Sequence, residues 1–192
     1  IETAQAIIFA GNHGICEQGI NPYPQEVTQL MVSNFENGGA AMNQLCTLSG
    51  AELTVKPLSL ASPTQDFTQT KAMSMTELLD AISAGIKSVN RSANIILLGE
   101  MGIGNSTVSS ALAASVFGGR VADWVGAGTG SDEKGIAHKI YIIEEGIAKV
   151  IPYEETIKDA EILIEYLADI TSKSKLLISD IREITKKRFT QF

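Results

Sequence analysis

Cysteine and histidine are scarce in this chain, which has two of each among its 192 residues. Two cysteines, Cys16 and Cys46, cannot form the disulfide framework of a small secreted protein. The cysteines and histidines also show none of the spacings that are typical of zinc sites. We therefore expect a protein of a reducing, cytoplasmic compartment, with no metal ion in its site.

Positive charge is also in deficit, because the net charge is −7 and the sequence pI is about 4.9. An acidic protein is a poor binder of nucleic acid or of an anionic membrane surface. No apolar run approaches the roughly 20 residues that a membrane helix requires. We therefore expect neither nucleic acid nor a membrane as a partner. Small anions stay possible, since a helix N-terminus binds phosphate whatever the overall charge.

Short apolar runs alternate with helical patterns along the first two thirds of the chain. Three runs predict strands, at 5–11, 52–58 and 94–99; the first and third are predicted to be buried, and Pro57 favours an edge position for the second. Periodic apolar residues between and after them predict helices, over 24–39, 40–50, 75–90, 106–118 and 131–151. Strands that alternate with helices indicate an α/β fold, a doubly wound parallel sheet with helical crossovers.

The character of the sequence changes after Pro152, where the chain becomes charged and contains no glycine. We interpret residues 152–192 as one or two amphipathic C-terminal helices that pack on the core or on a partner. The predicted organisation is thus an α/β nucleotide-binding core over residues 1–151 and a charged helical extension over residues 152–192.

The stretch GEMGIGNST (99–107) directly follows a predicted strand and precedes a predicted helix. Gly102 and Gly104 allow a tight turn and a close approach of a ligand to the backbone. Asn105 and Ser106 are suitable N-cap residues, and the free amides of a helix N-terminus attract phosphate. A capped helix with no ligand would use the same residues, and the spacing matches neither a P-loop nor a full dinucleotide fingerprint.

A second glycine-rich loop, VGAGTGSDEKGIAHK (125–139), also precedes a predicted helix. Two such loops in one small domain suggest a phosphorylated or ribosylated ligand that is bound from two sides. Lys139 lies about two turns into the second helix and is predicted near the mouth of the site. A solvated lysine on a helix surface is the alternative interpretation.

The third loop of interest, AGNHGICEQGINPYPQEVTQLM (10–31), follows the first predicted strand. Tyr23 has a ring that can stack on a planar heterocycle, and Gln29 can form a hydrogen bond with a ring nitrogen. A surface tyrosine and a solvent-facing glutamine are the alternatives. His13 can titrate near neutral pH, although a structural histidine is the commoner occurrence at a strand end.

These three loops, in this order, resemble the nicotinate-nucleotide:dimethylbenzimidazole phosphoribosyltransferase family over roughly residues 5–140. The resemblance implies an enzyme of cobalamin lower-ligand synthesis. Such an enzyme transfers the phosphoribosyl group of nicotinate mononucleotide to 5,6-dimethylbenzimidazole, giving α-ribazole 5′-phosphate and nicotinate. It further implies a doubly wound α/β domain, a homodimer, and no metal or cofactor.

Matching the family motifs residue by residue also implies roles in the site. Glu100, beside the ribose, and Lys139, near the site, are the implied catalytic residues. The implied substrate-binding residues are Asn21, Tyr23 and Gln29 for the base, Met101, Gly102, Gly104, Asn105 and Ser106 for ribose and phosphate, and Gly128, Thr129 and Gly130 for the second phosphate loop. A carboxylate such as Glu100 can stabilise the cation-like sugar that forms when the anomeric carbon is displaced.

The chain also departs from the family pattern. Asn12 stands where the family usually has aspartate, and Asn21 stands where it usually has serine. Family chains are longer at both ends, and this sequence lacks the C-terminal G-E-G-T-G-A motif that carries the family's proposed general base. The segment near residues 61–63 also looks shortened.

Two interpretations follow from the apparent truncation. The sequence is either part of a longer transferase, consistent with its start at Ile1, or a truncated homologue that binds a nucleotide phosphate without catalysis. A structural α/β domain that assembles through acidic C-terminal helices is a third alternative. The two glycine-rich loops, together with Glu100 and Lys139, argue against that third alternative.

Overall fold

The computed structural model describes residues 2–149. In this part of the chain, helices and strands alternate as the sequence predicts. They are β1 (Ala4–Ala10), α1 (Glu26–Glu36), α2 (Ala41–Ser49), β2 (Glu52–Pro57), α3 (Met75–Ser88), β3 (Ile95–Met101), α4 (Asn105–Phe117) and α5 (Glu133–Ala148), with short 3₁₀ helices at Gly14–Gln18 and Val121–Asp123. The predicted C-terminal helices over 152–192 lie outside the described residues, so the division of the chain near residue 151 stays a prediction.

The three strands form a parallel sheet in the order β2-β1-β3, which confirms the predicted α/β class. The central strand β1 is buried at Ile7 and Ile8. Pro57 ends the edge strand β2, as a residue without a backbone N–H should. Ala10 pairs with Met101 of β3, so the loops that follow β1 and β3 begin side by side. In open α/β sheets, ligands generally bind outside the carboxyl ends of the strands, which is where these two loops begin.

The prediction that β3 is a buried strand is wrong for the described part of the chain. The side chains of Ile95 to Leu98 are 40–75% exposed, although they form the most apolar run of the sheet. β3 pairs with β1 on one side only, and no described element covers its outer edge. A run of apolar residues indicates a strand, but its burial depends on which other elements lie against it.

Side-chain caps define where α3 and α5 begin. Ser74 accepts a hydrogen bond from the Glu77 amide at 3.3 Å, and the Glu77 carboxylate accepts one from the Ser74 amide at 2.8 Å. This reciprocal pair is a capping box. Asp132 accepts a hydrogen bond from the Gly135 amide at 2.8 Å and starts α5. The start of α5 fixes where its second turn, which carries Lys139, lies relative to the second glycine-rich loop.

The segment between β2 and α3 is anchored by Phe67, which packs against two buried clusters. One cluster joins α4 and α5 through Ala111, Ala114, Val121 and Ile143, and the other joins Ile15, Ile20 and Ile142. Gly146 of α5 lies directly beneath the Phe67 ring, because a Cβ at that glycine would lie 2.4 Å from Phe67 Cδ2. The absence of a side chain at residue 146 therefore lets the segment pack on α5.

We expect Gly146→Ala to destabilise the fold, although alanine favours helices. Displacing a packed aromatic ring costs about 1–3 kcal/mol, which outweighs the gain of about 1 kcal/mol in helix propensity. Gly85→Ala in α3 is the matched control, because a Cβ there has no neighbour within 4 Å. Urea denaturation should show a lower midpoint for Gly146→Ala and an unchanged or higher midpoint for Gly85→Ala. A midpoint raised equally in both would contradict the packing argument.

Candidate functional site

The candidate site begins where β1 and β3 end. The Gly11 amide donates a hydrogen bond to the Met101 carbonyl at 3.1 Å, which joins the two strand ends. Gly102 then turns against β1 so closely that a Cβ would lie 2.3 Å from the Gly11 carbonyl oxygen. The glycine at residue 102 is thus required by a close approach of two backbones, and the turn leads directly into α4.

Gly104 is the N-cap residue of α4, and the prediction of Asn105 and Ser106 as caps is wrong. Gly104 has φ +98°, a left-handed conformation, and a Cβ there would lie 2.7 Å from Cys16 Sγ. Its carbonyl accepts hydrogen bonds from the Thr107 and Val108 amides. The helix therefore starts one residue earlier than the side chains suggest, because only glycine fits at this position. The Asn105 side chain is free to make other contacts.

Asn105 connects a histidine to the predicted catalytic carboxylate. Its Oδ1 lies 2.6 Å from His13 Nε2, and its Nδ2 donates a hydrogen bond to Glu100. Glu100 is exposed and lies at the end of β3. Burial lowers the pKa of His13, and the contacts with Asn105 and Glu100 only partly oppose this effect. The imidazole is therefore neutral at pH 7.

The second glycine-rich loop lies against the first. Gly128 has φ +57°, and a Cβ there would lie 2.7 Å from Ser106 Oγ and 3.2 Å from Lys139 Nζ. Thr129 and Gly130 continue an exposed turn that is closed by a hydrogen bond from the Gly130 amide to the Ala127 carbonyl at 3.2 Å. The two loops and the lysine thus meet at one point, next to the start of α4.

Lys139 is buried, with 1% of its surface exposed, so the alternative of a solvated lysine does not apply. Its Nζ donates one long hydrogen bond to the Ala127 carbonyl, at 3.4 Å. Burial lowers the pKa of this ammonium group. A buried cation without a carboxylate partner among the described residues is costly in a folded protein, so its presence needs a reason.

The backbone at the start of α4 adds partial positive charge beside the Lys139 ammonium group. In the part of the chain that the structure describes, the Ser106 amide donates no hydrogen bond. The Ser106 hydroxyl is exposed beside it. A free helix amide, a hydroxyl and a buried ammonium group around one point can together bind an anion such as phosphate.

The residues predicted for the base pocket lie on the segment before and within α1. Tyr23 is 53% exposed, and Gln29 is exposed on α1. Asn21 donates a hydrogen bond to Cys16 Sγ at 3.3 Å. Among residues 2–149, the side chains of Tyr23 and Gln29 form no hydrogen bond with the loops around Glu100 and Lys139. The structure therefore brings the phosphate-loop residues together, but it does not connect them with the base-pocket residues.

Three polar contacts that support the site were not predicted from the sequence. Thr28 is fully buried and accepts a hydrogen bond from the Ile103 amide at 3.1 Å. Gln25 accepts one from the His13 amide at 3.2 Å, and Cys16 donates one to the Ile103 carbonyl at 3.2 Å. Burial raises the pKa of the Cys16 thiol to about 11, so it stays protonated at pH 7. No local pattern signals these contacts, because their partners are distant in sequence.

The described residues contain no group of three or more His, Cys, Asp or Glu side chains that could bind a metal ion. Within the same residues, no helix has the length and apolar character needed to cross a membrane.

A protein-family model described as DBI_PRT, phosphoribosyltransferase, matches residues 1–172. The chain belongs to this phosphoribosyltransferase family. A nicotinate-nucleotide–dimethylbenzimidazole phosphoribosyltransferase of Rhodobacter capsulatus is 57% identical over 148 residues, which are 77% of this chain and 44% of that protein. The similarly named protein of Roseobacter denitrificans is 54% identical over 149 residues, 78% of this chain and 44% of that protein.

A crystal structure of CobT from Thermus thermophilus has a similar fold, with a TM-score of 0.74 and 30% sequence identity. The match covers 80% of this chain and 52% of that protein. The matched part of the chain thus covers less than half the length of these curated relatives. The family and the α/β fold are established by these likenesses.

Proposed function

We propose that this chain binds nicotinate mononucleotide and takes part in transferring its phosphoribosyl group to 5,6-dimethylbenzimidazole, which gives α-ribazole 5′-phosphate and nicotinate. The observation that carries the proposal is the meeting of the two glycine-rich loops at Gly128, with Lys139 Nζ directly beside them. The names of the relatives support the same reaction. Because those relatives are named as transferases, transfer is favoured over a homologue that only binds.

The nucleotide phosphate is bound, in this proposal, between the two loops. The Ser106 amide and hydroxyl donate to it from the start of α4, and Lys139 supplies the compensating charge from below. Gly102 and Gly104 keep that backbone close, and Gly128, Thr129 and Gly130 close over the opposite side. Met101 and Asn105 border the ribose. The bound phosphate neutralises the buried ammonium group and so explains why the charge of Lys139 is tolerated.

Glu100 faces the sugar in this arrangement. Departure of nicotinate leaves positive charge on the anomeric carbon and ring oxygen, and a carboxylate nearby stabilises that charge. The phosphate anchors the nucleotide, so the attacking ring nitrogen meets the anomeric carbon in line. The C1′–N bond to nicotinate breaks as the bond to the benzimidazole nitrogen forms, and the benzimidazole proton passes to a general base.

The base is recognised, we propose, by Asn21, Tyr23 and Gln29. Tyr23 is exposed enough to stack on a planar heterocycle, and Gln29 can donate to a ring nitrogen. We expect Asn21→Ser to change the preference among benzimidazole and purine bases, because the carboxamide and the hydroxyl differ in size and in donors. Competition between 5,6-dimethylbenzimidazole and adenine, with products separated by chromatography, measures this. An unchanged product ratio would remove Asn21 from the base pocket.

The proposed function is tested by mixing the full chain with nicotinate mononucleotide and 5,6-dimethylbenzimidazole and measuring nicotinate release. Calorimetry with the nucleotide alone measures binding in parallel. Release of nicotinate supports the transferase, and binding without release supports the non-catalytic alternative. Absence of both would contradict the proposal. The homodimer and the cytoplasmic location belong to the same proposal, and light scattering of the purified chain tests the dimer.

A further inference from the structure

The candidate site contains a continuous chain of hydrogen bonds, His13–Asn105–Glu100. This chain joins protein side chains to one another, and binding of the phosphate or of the base does not account for it. His13 lies just after β1, Asn105 is the first residue of α4, and Glu100 lies near the end of β3. One carboxamide therefore connects three elements, through Oδ1 to His13 at 2.6 Å and through Nδ2 to Glu100.

The chemistry of these groups fixes the direction of every hydrogen bond in the chain. An ionised carboxylate can only accept, so the amide nitrogen of Asn105 must face Glu100. The amide oxygen then faces His13 and can only accept, so His13 Nε2 must carry a proton. The neutral imidazole is therefore the Nε2–H tautomer, and its Nδ1 is left without a proton.

His13 is itself held in place from two other sides. Its backbone amide donates a hydrogen bond to Gln25 Oε1 at 3.2 Å, and its backbone pairs with Thr64. The fixed backbone limits where the imidazole can lie, and the Asn105 carboxamide cannot rotate without losing its contact with that imidazole. The direction in which the Asn105 amide group points thus determines where the exposed carboxylate of Glu100 lies.

We propose that Asn105 is a positioning residue that orients the Glu100 carboxylate toward the reacting sugar, with His13 as the anchor that orients Asn105. The inference rests on the proposed function and adds a role for two side chains within it. From its place beside the ribose, Asn105 acts on the reaction through its hydrogen bond to Glu100. An exposed glutamate without this support would sample several rotamers, and displacement of a charge by about 1 Å can cost up to about 100-fold in rate.

Asn105→Asp and Asn105→Ala separate the two contacts. Aspartate still accepts from His13 but cannot donate to Glu100, whereas alanine removes both contacts. An acidic residue in the first turn also favours a helix, so Asn105→Asp should fold. Ser109→Ala, at an exposed position of the same helix, is the matched control.

We expect both Asn105 variants to lower kcat by about 10-fold to 100-fold, with a KM for nicotinate mononucleotide that changes by less than about threefold. Nitrogen NMR of the histidines in the full chain should show a proton on Nε2 of His13 in the wild type and in Asn105→Asp. Asn105→Ala should give a mixture of tautomers. The Ser109→Ala variant should match the wild type in all three measurements.

An unchanged kcat in both Asn105 variants, or an Nδ1–H tautomer of His13 in the wild type, would overturn the inference. If the wild type itself released no nicotinate, the proposed function would fail, and crystal structures of wild type and Asn105→Asp would then decide. A Glu100 carboxylate that turns away in the variant supports the positioning role. The same rotamer in both proteins refutes it.

Discussion

Replacing Glu100 with glutamine is expected to reduce phosphoribosyl transfer by about 100-fold to 1,000-fold and to leave the affinity for nicotinate mononucleotide nearly unchanged. The carboxylate lies at the end of β3, beside the turn that leads into α4. Its charge matters most when the sugar becomes cation-like, and it contributes little to binding of the ground state. Glutamine has the same shape without the charge, so the substitution isolates the electrostatic contribution.

Steady-state kinetics of nicotinate release and calorimetry with the nucleotide test this expectation together. Glu144→Gln, an exposed position on α5, is the control for the loss of one negative charge from an already acidic protein. An equal loss of turnover and of nucleotide affinity in Glu100→Gln would mean that Glu100 binds the ground state as tightly as the transition state. Its proposed electrostatic role would then be wrong.

Replacing Lys139 with methionine is expected to weaken binding of nicotinate mononucleotide by about 10-fold to 100-fold and to stabilise the free protein. A hydrogen bond to a charged group contributes about 1.5–3 kcal/mol, which corresponds to that change in affinity. The same ammonium group is buried with only one long hydrogen bond among the described residues. Methionine of similar length removes this desolvation cost, so thermal unfolding should shift to a higher temperature.

The stability of the wild type should also rise with pH because of Lys139. Burial lowers the pKa of the folded-state ammonium group from its ordinary value of 10.5. Between the lowered pKa and 10.5 the unfolded chain binds more protons, so the free energy of unfolding increases with pH across that window. The slope should be smaller in Lys139→Met. Lys134→Met, an exposed lysine of the same helix, should change neither affinity nor slope.

Reduced stability of Lys139→Met with unchanged nucleotide affinity would show that the lysine is a structural residue. In that case the meeting of the two loops at Gly128 would serve packing and would not bind the phosphate.

Much of the fold could be predicted from local patterns in the sequence. The apolar runs predicted the strands β1, β2 and β3. Pro57 predicted the edge position of β2. Both signals depend on a few neighbouring residues. The glycines at 102, 104 and 128 marked the turns, since each lies where a backbone or another side chain approaches too closely for a Cβ. Such requirements are visible in the sequence as residue type alone.

The local pattern was misleading wherever a residue's role depended on its partners. The apolar residues of β3 predicted burial, but burial is decided by elements that lie elsewhere in the chain. Asparagine is a residue type that favours the N-cap position, yet the Asn105 side chain forms a hydrogen bond with His13, 92 residues away in sequence. The base-pocket residues Tyr23 and Gln29 still lack a structural link to the phosphate loops and stay predictions.

The sequence by itself determined the alternation of strands and helices, the two glycine-rich loops and the family motifs, because these are set by residue type and spacing along the chain. Only the tertiary structure decided that Lys139 is buried beneath Gly128 and that Asn105 links His13 to Glu100. Burial and hydrogen bonding across long sequence separations depend on the parallel register of β1 and β3, which brings their two following loops together. That register pairs Ala10 with Met101, which are far apart in sequence, so no short stretch of the chain specifies it.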